Sequence, residues 1–497
     1  MPGIIPRWEW RTFGSRFGLA EARFAALTPT GVQESDELYL VGGAGDNVKV
    51  RDDLMDVKVL RETDGDGLER WEPVMKAGFP LAAADVGRVF ESLRLQLPAL
   101  AREEYTLNQF VDELVVPSGT LRAVKVHKRR VRYKVGGCTS EVSDVTVDGI
   151  ASRTIAIESE DAAAVVAAVR SVGLDGFRNM SYPVGLRAVL EGQPERYAVL
   201  DVGTNSIKFY VGERRPGGGW TRVADRAEIT RLGEGLREHG QISPDAQARA
   251  TTAIAGMVDE AHRDGARAIV GVATAGLRMA ANSDDVVAAV KASTGLEIEA
   301  IPGDEESRLA FLAVKVGLGL AHGSLVVFDT GGGSTQLTFG HGEAVEERFS
   351  VEVGAVRLTE QFKLGGALSR EALDAALAAI SAELVRVDGH GVPDVLVGMG
   401  GAVTNIAAVM HGMATYDPDR IQGSVIDRAE VERQIELYRS RDLDARREIV
   451  GLQPKRADVI LAGACIVRTI MDKVGRDSLT VSDRGLRHGV FVERFGE

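Results

Sequence analysis

The sequence has little of what secreted, membrane-spanning and nucleic-acid-binding proteins depend on. Its 497 residues include only two cysteines, Cys138 and Cys465, far apart in the chain. Two distant cysteines argue against a disulfide framework or a cysteine-based zinc site, and they are typical of a reducing compartment. The net charge of −13 argues against general affinity for nucleic acid or an anionic membrane. No apolar stretch is long enough to span a bilayer, and the N-terminus lacks a signal-peptide core, so we expect a cytoplasmic protein.

The length of the chain predicts more than one domain, because 497 residues are too many for a single core. The polar segment 191–196, which contains glycine and proline, is the best boundary. We expect an α+β domain with charged strands over 1–190, followed by two similar α/β lobes over 195–320 and 321–497. In the two lobes, strands and helices alternate along the chain.

Two stretches far apart repeat one pattern of buried strand, aspartate, glycine and hydroxyl. One strand ends at Asp329 and the other at Asp201. Glycine lets backbone N–H groups approach a phosphate, and an aspartate at a strand end can hold hydrated Mg²⁺. The predicted phosphate-binding residues are Gly203, Thr204, Asn205, Ser206, Gly331, Gly332, Gly333, Ser334 and Thr335. Two such hairpins predict two lobes that face one phosphate cleft, with Asp329 and Asp201 as metal ligands.

Two further segments contain candidates for catalysis. Arg278 closely follows a buried strand, and its guanidinium suits a bidentate hold on phosphate oxygens. The segment 303–308 begins a helix with three acids, including Glu305 and Glu306. Acids are common at a helix N-terminus, and Glu306 lies at the capping-box position. Alternatively, Glu306 is a general base that takes a proton from an attacking water, and the sequence leaves both interpretations open.

The region before residue 190 contains strands in which charged and apolar residues alternate. Lys128, Arg130, Arg132 and Lys134 fall on one face of a strand, and acidic strands follow at 141–145 and 155–160. Helices are predicted over 84–100 and 161–172.

Such rows resemble the CYTH or triphosphate-tunnel family, whose members close a barrel of Lys, Arg and Glu around a triphosphate and a metal. The family's N-terminal Glu-x-Glu-x-Lys pattern is not evident. A solvated sheet face with interleaved charges is the other interpretation.

Five motifs occur in one order, at 201–206, 274–278, 303–308, 329–335 and 354–360. Together they closely resemble the exopolyphosphatase/guanosine pentaphosphate phosphohydrolase family over about 195–497. The resemblance implies a two-lobed actin-like ATPase (ribonuclease H-like) fold and Mg²⁺-dependent hydrolysis of phosphoanhydride bonds. It also implies Glu306 as catalytic base, Asp329 as metal carboxylate and Arg278 as phosphate arginine, and it is compatible with a homodimer.

The sequence departs from the family pattern at two positions. Gln336 stands where the family has glutamate, and it lacks the charge that glutamate would offer to a metal or water. Val403 adds bulk to a loop that faces a nucleotide in the wider fold. We therefore expect an exopolyphosphatase. The alternatives are a guanosine pentaphosphate 5′-phosphohydrolase, an ATPase or sugar kinase of the same fold, and a non-catalytic sensor of polyphosphate or guanosine tetraphosphate.

Overall fold

The N-terminal part of the chain forms a closed eight-stranded barrel in a computed structural model that describes residues 6–43, 46–215, 218–320, 322–342 and 344–496. The predicted domain ends at residues 1, 321 and 497 lie outside these ranges. The strands are β1 (Arg7–Gly14), β2 (Gly31–Val41), β3 (Asn47–Arg51), β4 (Leu54–Thr63), β5 (Glu69–Gly78), β6 (Leu81–Ala82), β7 (Glu104–Tyr105), β8 (Arg122–Val135), β9 (Cys138–Val147) and β10 (Ile150–Ser159). The helices are α1 (Leu19–Ala25), α2 (Ala83–Ser92), α3 (Leu107–Phe110), α4 (Ala162–Ser171) and α5 (Tyr182–Leu190). The barrel order is β1-β10-β9-β8-β2-β3-β4-β5, and β6 pairs with β7 in a separate two-stranded sheet.

Several charged side chains lie inside this barrel. Successive residues of a strand point to opposite faces, so every second residue of a barrel strand points inward. Lys128 and Arg130 of β8 are buried there with Glu37 of β2, whereas Arg132 and Lys134 are exposed. A fully solvated sheet face is therefore wrong for the first two positions. The barrel is compatible with the predicted CYTH-like domain.

The first lobe is built on a five-stranded sheet in the order β13-β12-β11-β14-β15. Its strands are β11 (Arg196–Val202), β12 (Ser206–Arg214), β13 (Trp220–Ile229), β14 (Ala266–Ala273) and β15 (Ile298–Ala300). Its helices are α6 (Leu236–His239), α7 (Pro244–Arg263), α8 (Ala275–Arg278), α9 (Ser283–Thr294) and α10 (Gly303–Leu318). Strands β11 and β14 run parallel and are nearly all apolar, as expected for central strands covered on both faces.

The second lobe repeats this plan with six strands in the order β18-β17-β16-β19-β21-β20. Its strands are β16 (Ser324–Thr330), β17 (Thr335–His341), β18 (Ala344–Val351), β19 (Val395–Met399), β20 (Val425–Asp427) and β21 (Ser478–Val481). Its helices are α11 (Ala355–Phe362), α12 (Arg370–Glu383), α13 (Gly400–Met410), α14 (Pro418–Ile421), α15 (Arg428–Arg439), α16 (Leu443–Arg447), α17 (Ile460–Val474) and α18 (Leu486–Phe495). Each lobe thus begins with an antiparallel hairpin whose first strand pairs in parallel with a later strand. None of the helices in the described ranges has the length and apolar character required to cross a bilayer.

The barrel is joined to the first lobe through hydrogen bonds as well as apolar packing. The segment 176–180 lies between β1 and β14. The amide of Met180 donates to the carbonyl of Arg11 at 2.6 Å, and the amide of Arg178 donates to the carbonyl of Arg267 at 2.7 Å. One apolar cluster continues from the barrel wall across the first-lobe sheet to α18. Helix α18 also packs against α10, the first-lobe helix that carries Glu306.

Candidate active site

The turn between β11 and β12 places Asp201 at the end of a central strand of the first lobe. Asp201 is in register with Lys208, whose ammonium group donates to the Asp201 carboxylate at 3.0 Å. The amide of Gly203 donates to the carbonyl of Ser206 at 3.1 Å and closes the turn. Residues 204–205 are exposed at its tip. The turn therefore offers backbone and hydroxyl donors beside a paired carboxylate and ammonium.

The glycine turn of the second lobe is held by the helix that follows it. The amide of Gly331 donates to the carbonyl of Ser334 at 2.9 Å. The carbonyls of Gly331 and Gly332 accept from the amides of Ala355 and Val356, at 3.0 and 2.9 Å, at the start of α11. The three glycines are exposed. The turn is thus rigid and accessible, as a phosphate-binding loop requires.

The side chains at the end of this turn have different partners. Gln336 donates through Nε2 to the hydroxyl of Ser334 at 3.0 Å. Thr335 is buried, and its hydroxyl donates to the carbonyl of Val353 at 2.6 Å. The Thr335 hydroxyl is therefore used within the fold, which leaves Ser334 as the accessible hydroxyl of this turn.

Asp329 lies against a second glycine pair at the start of α13. A methyl group placed on Gly400 would lie 2.5 Å from Oδ1 of Asp329, and Gly400 has a φ of +86°. Both the close approach and the left-handed backbone require glycine here. A methyl group on the neighbouring Gly401 would lie 2.4 Å from the guanidinium carbon of Arg456, so this arginine covers the same loop.

The two aspartates from the two lobes influence each other electrostatically. Burial raises the pKa of Asp329 above its ordinary value, and the negative charge of Asp201 raises it further. Lys208 and Arg456 act in the opposite direction on the same carboxyl. The pKa of Lys208 is raised, chiefly by the carboxylate of Asp201. The predicted metal ligands and two cations therefore share one electrostatic environment.

The structure brings Arg278 and Glu306 into direct contact. Nη1 of Arg278 lies 3.0 Å from Oε2 of Glu306 and donates to the carbonyl of Ile301 at 2.7 Å. Both side chains are partly exposed, 27% and 31% respectively. Glu305 points elsewhere: hydrogen bonds from Arg308, at 2.7 and 2.8 Å, lower the pKa of this carboxyl. Of the two acids, Glu306 is the one beside Arg278, the predicted phosphate arginine.

The donor set can be compared with what a divalent cation requires. Within the described ranges, no group of three or more His, Cys, Asp or Glu side chains is close enough to hold a metal ion. Mg²⁺ commonly uses one or two protein carboxylates and takes its other ligands from water and substrate phosphates. Asp329 fits that requirement, whereas Asp201 would have to exchange its contact with Lys208.

Sequence reasoning missed Lys208 and Arg456. The register of the β11–β12 hairpin could have found Lys208, because a two-strand turn after Asp201 brings it opposite that aspartate. Arg456 comes from a distant segment of the second lobe, and no local signal points to it. Val403 was predicted to add bulk to the loop that faces a nucleotide in the wider fold, but it is fully buried and packs toward Gly398. Its bulk is accommodated in the second-lobe core, away from the loop surface.

Comparisons with known proteins agree with this arrangement. Exopolyphosphatase 2 of Mycobacterium tuberculosis is 31% identical over 328 residues, which cover 61% of this chain and 99% of that protein. Exopolyphosphatase 1 of Mycobacterium bovis is 29% identical over 307 residues, covering 60% of this chain and 88% of that protein. A crystal structure of the Aquifex aeolicus Ppx/GppA phosphatase matches with a TM-score of 0.57 and 30% identity, over 60% of this chain and 99% of that one.

These relatives confirm the predicted two-lobed actin-like ATPase fold and the prediction of a phosphatase-type hydrolase. The family model described as the Ppx/GppA phosphatase family matches residues 211–497, which is more than half of the chain. The chain belongs to the Ppx/GppA phosphatase family.

Proposed function

We propose that this protein is an exopolyphosphatase that removes the terminal phosphate of inorganic polyphosphate by attack of water, with Mg²⁺ as cofactor. The observation that carries the proposal is the 3.0 Å contact between Arg278 and Glu306, in the lobe whose first turn follows Asp201. It joins a group suited to phosphate with a group suited to proton transfer. The names of the mycobacterial relatives favour polyphosphate as substrate.

The proposed reaction begins when the terminal phosphate enters between the two glycine turns. Backbone N–H groups of 203–206 and 331–334 would bind its oxygens, and so would the guanidinium of Arg278. Arg278 would then exchange its contact with Glu306 for the phosphate, which frees the Glu306 carboxylate. That carboxylate would take a proton from water as the water oxygen bonds to the terminal phosphorus. The bond from this phosphorus to the bridging oxygen breaks, and the shortened chain leaves with that oxygen.

The cofactor assignment rests on the carboxylates. The family assignment supports a divalent-metal requirement. Asp329, with Asp201 as a second candidate ligand, would hold Mg²⁺, which would neutralise phosphate charge when bound. Lys208 and Arg456 would oppose the rise in the pKa of the Asp329 carboxyl, because both act to lower it. Gln336 would orient the Ser334 hydroxyl without adding charge.

The main alternative substrate is guanosine pentaphosphate, because the family is named for both activities. A sugar kinase of the same fold would transfer phosphate to an acceptor molecule. An ATPase of the same fold would require a nucleotide as substrate. A non-catalytic sensor would bind polyphosphate or guanosine tetraphosphate without turnover, and Gln336 is the residue that favours this reading.

A substrate panel tests the proposal. Phosphate release is measured with Mg²⁺ from long polyphosphate, tripolyphosphate, guanosine pentaphosphate and ATP, with the wild-type chain and Glu306→Gln side by side. We expect the highest kcat/KM on long polyphosphate, and a loss of kcat of about 10²- to 10⁴-fold in the variant. Full activity of Glu306→Gln would refute the mechanism. Preference for guanosine pentaphosphate would replace the proposed substrate, and tight polyphosphate binding without turnover would favour the sensor.

A further inference from the structure

Arg348 lies on the face of the second-lobe sheet that carries Asp329, although no motif contains it. Asp329 on β16 is in register with Gln336 on β17, and Thr338, two residues further along β17, is in register with Arg348 on β18. Residues opposite each other on paired strands share a face, and so do residues two apart on one strand. The side chain of Arg348 therefore leaves the sheet on the same side as Asp329.

From this face Arg348 reaches the start of α10. Its Nη1 donates to the carbonyl of Gly303. A methyl group placed on Gly303 would lie 3.1 Å from Nη1 of Arg348 and 3.6 Å from Nη2 of Arg278. Two guanidinium groups, one from each lobe, thus flank a single point beside Glu306.

The charge of Arg348 is not balanced in the way that the charge of Arg278 is. Arg278 has the carboxylate of Glu306 at 3.0 Å. The described contact of Arg348 is with a neutral carbonyl, and no carboxylate of the described residues lies within ion-pair distance of it. The adjacent Glu347 binds Arg386 at 3.1 Å and His390 at 3.0 Å instead.

A role in stability explains this position poorly. A cation near a helix N-terminus is unfavourable, because that end of the helix carries partial positive charge. A second guanidinium nearby adds repulsion. Partly buried arginines that face the same space are best satisfied by an anion that both can bind. The space beside Gly303, which both guanidinium groups face, is where we place the incoming polyphosphate.

We propose that Arg348 binds the phosphate that follows the reacting one, so that a linear polyphosphate is held by Arg278 of the first lobe and Arg348 of the second. This inference rests on the proposed function and adds a substrate subsite to it. The subsite favours chains of two or more phosphates over orthophosphate, because a single phosphate reaches only one of the two arginines. Arg348 contacts substrate without taking part in proton transfer, so its effect is on binding.

Binding of inorganic tripolyphosphate to the full chain tests the inference, measured by calorimetry in a Glu306→Gln background to prevent turnover. We expect Arg348→Ala to raise Kd about tenfold or more, because a charge-assisted hydrogen bond is lost. The matched control is Arg386→Ala, an arginine that leans on the opposite side of β18 and pairs with Glu347. It should leave Kd within about twofold. Arg348→Lys keeps the positive charge but loses the two-pronged hydrogen bonding of the guanidinium group. It should therefore bind more tightly than Arg348→Ala and less tightly than wild type, and it also shows that the site folds without arginine.

Kinetics give an independent readout in the otherwise unaltered chain. Arg348→Ala should raise KM for long polyphosphate about tenfold and change kcat by less than about threefold. The reason is that Arg348 binds the ground state and the transition state equally well. Equal Kd values for the Arg348 and Arg386 variants would overturn the subsite and leave the proposed function standing. Failure of Glu306→Gln to bind tripolyphosphate at all would overturn both. A fall in kcat with unchanged KM would also contradict the binding role.

Discussion

The barrel interior and the cleft between the lobes are both rich in charge, but the charges are arranged differently. Inside the barrel, the carboxylate of Glu37 lies 2.8 Å from Lys128, 3.1 Å from Lys49 and 3.2 Å from Arg130. In the cleft, and among the residues that the structure describes, Arg278 contacts one carboxylate and Arg348 contacts a backbone carbonyl but no carboxylate. In the first arrangement each cation has a carboxylate partner, whereas in the second Arg348 has none among the described residues. Charge patterning alone therefore does not identify a site; the pairing within the fold does.

The two carboxylates at the centre of these regions have pKa values shifted in opposite directions. Burial alone would raise the pKa of Glu37, but the ammonium groups of Lys128 and Lys49 prevail and lower it well below its ordinary value. Burial also raises the pKa of Asp329, and there the nearby Asp201 reinforces the effect. Glu37 already has an excess of cations around it, whereas Asp329 faces another carboxylate. Only the second environment is improved by an added cation.

The largest effect is expected from Glu37→Gln in the barrel. This change leaves the buried ammonium of Lys128 without its carboxylate, and breaking a buried pair from one side costs about 3–5 kcal/mol. Denaturant unfolding should therefore show a large shift to lower midpoint. The control is Glu34→Gln, on the same strand, whose side chain is 62% exposed and 3.9 Å from Arg129. It should stay within about 0.5 kcal/mol of wild type.

The same Glu37→Gln variant can break the comparison. At a temperature where the variant is folded, its kcat on polyphosphate should match that of wild type within about twofold, because the barrel charges pair with one another and not with groups of the cleft. A specific loss of polyphosphate turnover at unchanged stability would show instead that the barrel interior belongs to the substrate path. That outcome would favour a continuous polyanion track from barrel to cleft.

The pH dependence of stability tests whether a buried ionisable group outside the barrel, His488, is also held by its neighbours in the fold. His488 of α18 lies 3.3 Å from Asp225 on β13, and burial lowers its pKa to about 4. Arg487 and Arg484 also disfavour its protonated form. The unfolded chain, with an ordinary histidine pKa of 6.5, therefore takes up a proton that the folded chain refuses. Stability is retained above that value and falls as the pH drops toward 4.

From about pH 7.5 to about pH 5 the loss attributable to His488 should be about 2 kcal/mol, measured as a difference in denaturant midpoints. His488→Gln keeps a donor toward Asp225 and should flatten that part of the profile. His239→Gln changes a side chain that is 69% exposed and should not. An unaltered profile in the His488 variant would mean that other groups carry the acid sensitivity.

How much of the cleft could be predicted depends on whether the information is local. The strand, aspartate and glycine pattern around Asp201 and Asp329 is written in consecutive residues, so both turns were predicted. Lys208 joins the site through the register of one local hairpin and could have been found, whereas Arg348 joins it through pairing across three strands. Arg456 arrives from a distant segment of the second lobe.

The N-terminal region was harder for related reasons. The predicted helix over 84–100 ends at Ser92, because Arg94 adopts a left-handed φ of +56° without a glycine to signal it. Strands β1 and β2 were not predicted, since their outer faces carry tryptophan and charged residues that blur the alternation. Closure of the barrel depends on pairing between β1 and β5, which are far apart in sequence. The charged rows were visible, but their mutual neutralisation was not.

The smallest effect is expected from Gln336→Glu, which adds charge to the open region. Gln336 is in register with Asp329, and its amide donates to the Ser334 hydroxyl at 3.0 Å. A glutamate of the same length can accept from that hydroxyl and adds a second carboxylate beside a bound cation. We expect kcat with Mg²⁺ to rise by about tenfold or less, roughly 1 kcal/mol, with no change in unfolding midpoint. Gln336→Met, which keeps the length and loses the hydrogen bond, should lower kcat instead. If neither variant changes turnover and both still bind polyphosphate, the charge at position 336 does not contribute to catalysis. The charged residues of the cleft would then bind substrate without setting its rate of hydrolysis, and the cleft would differ less from the barrel than we propose.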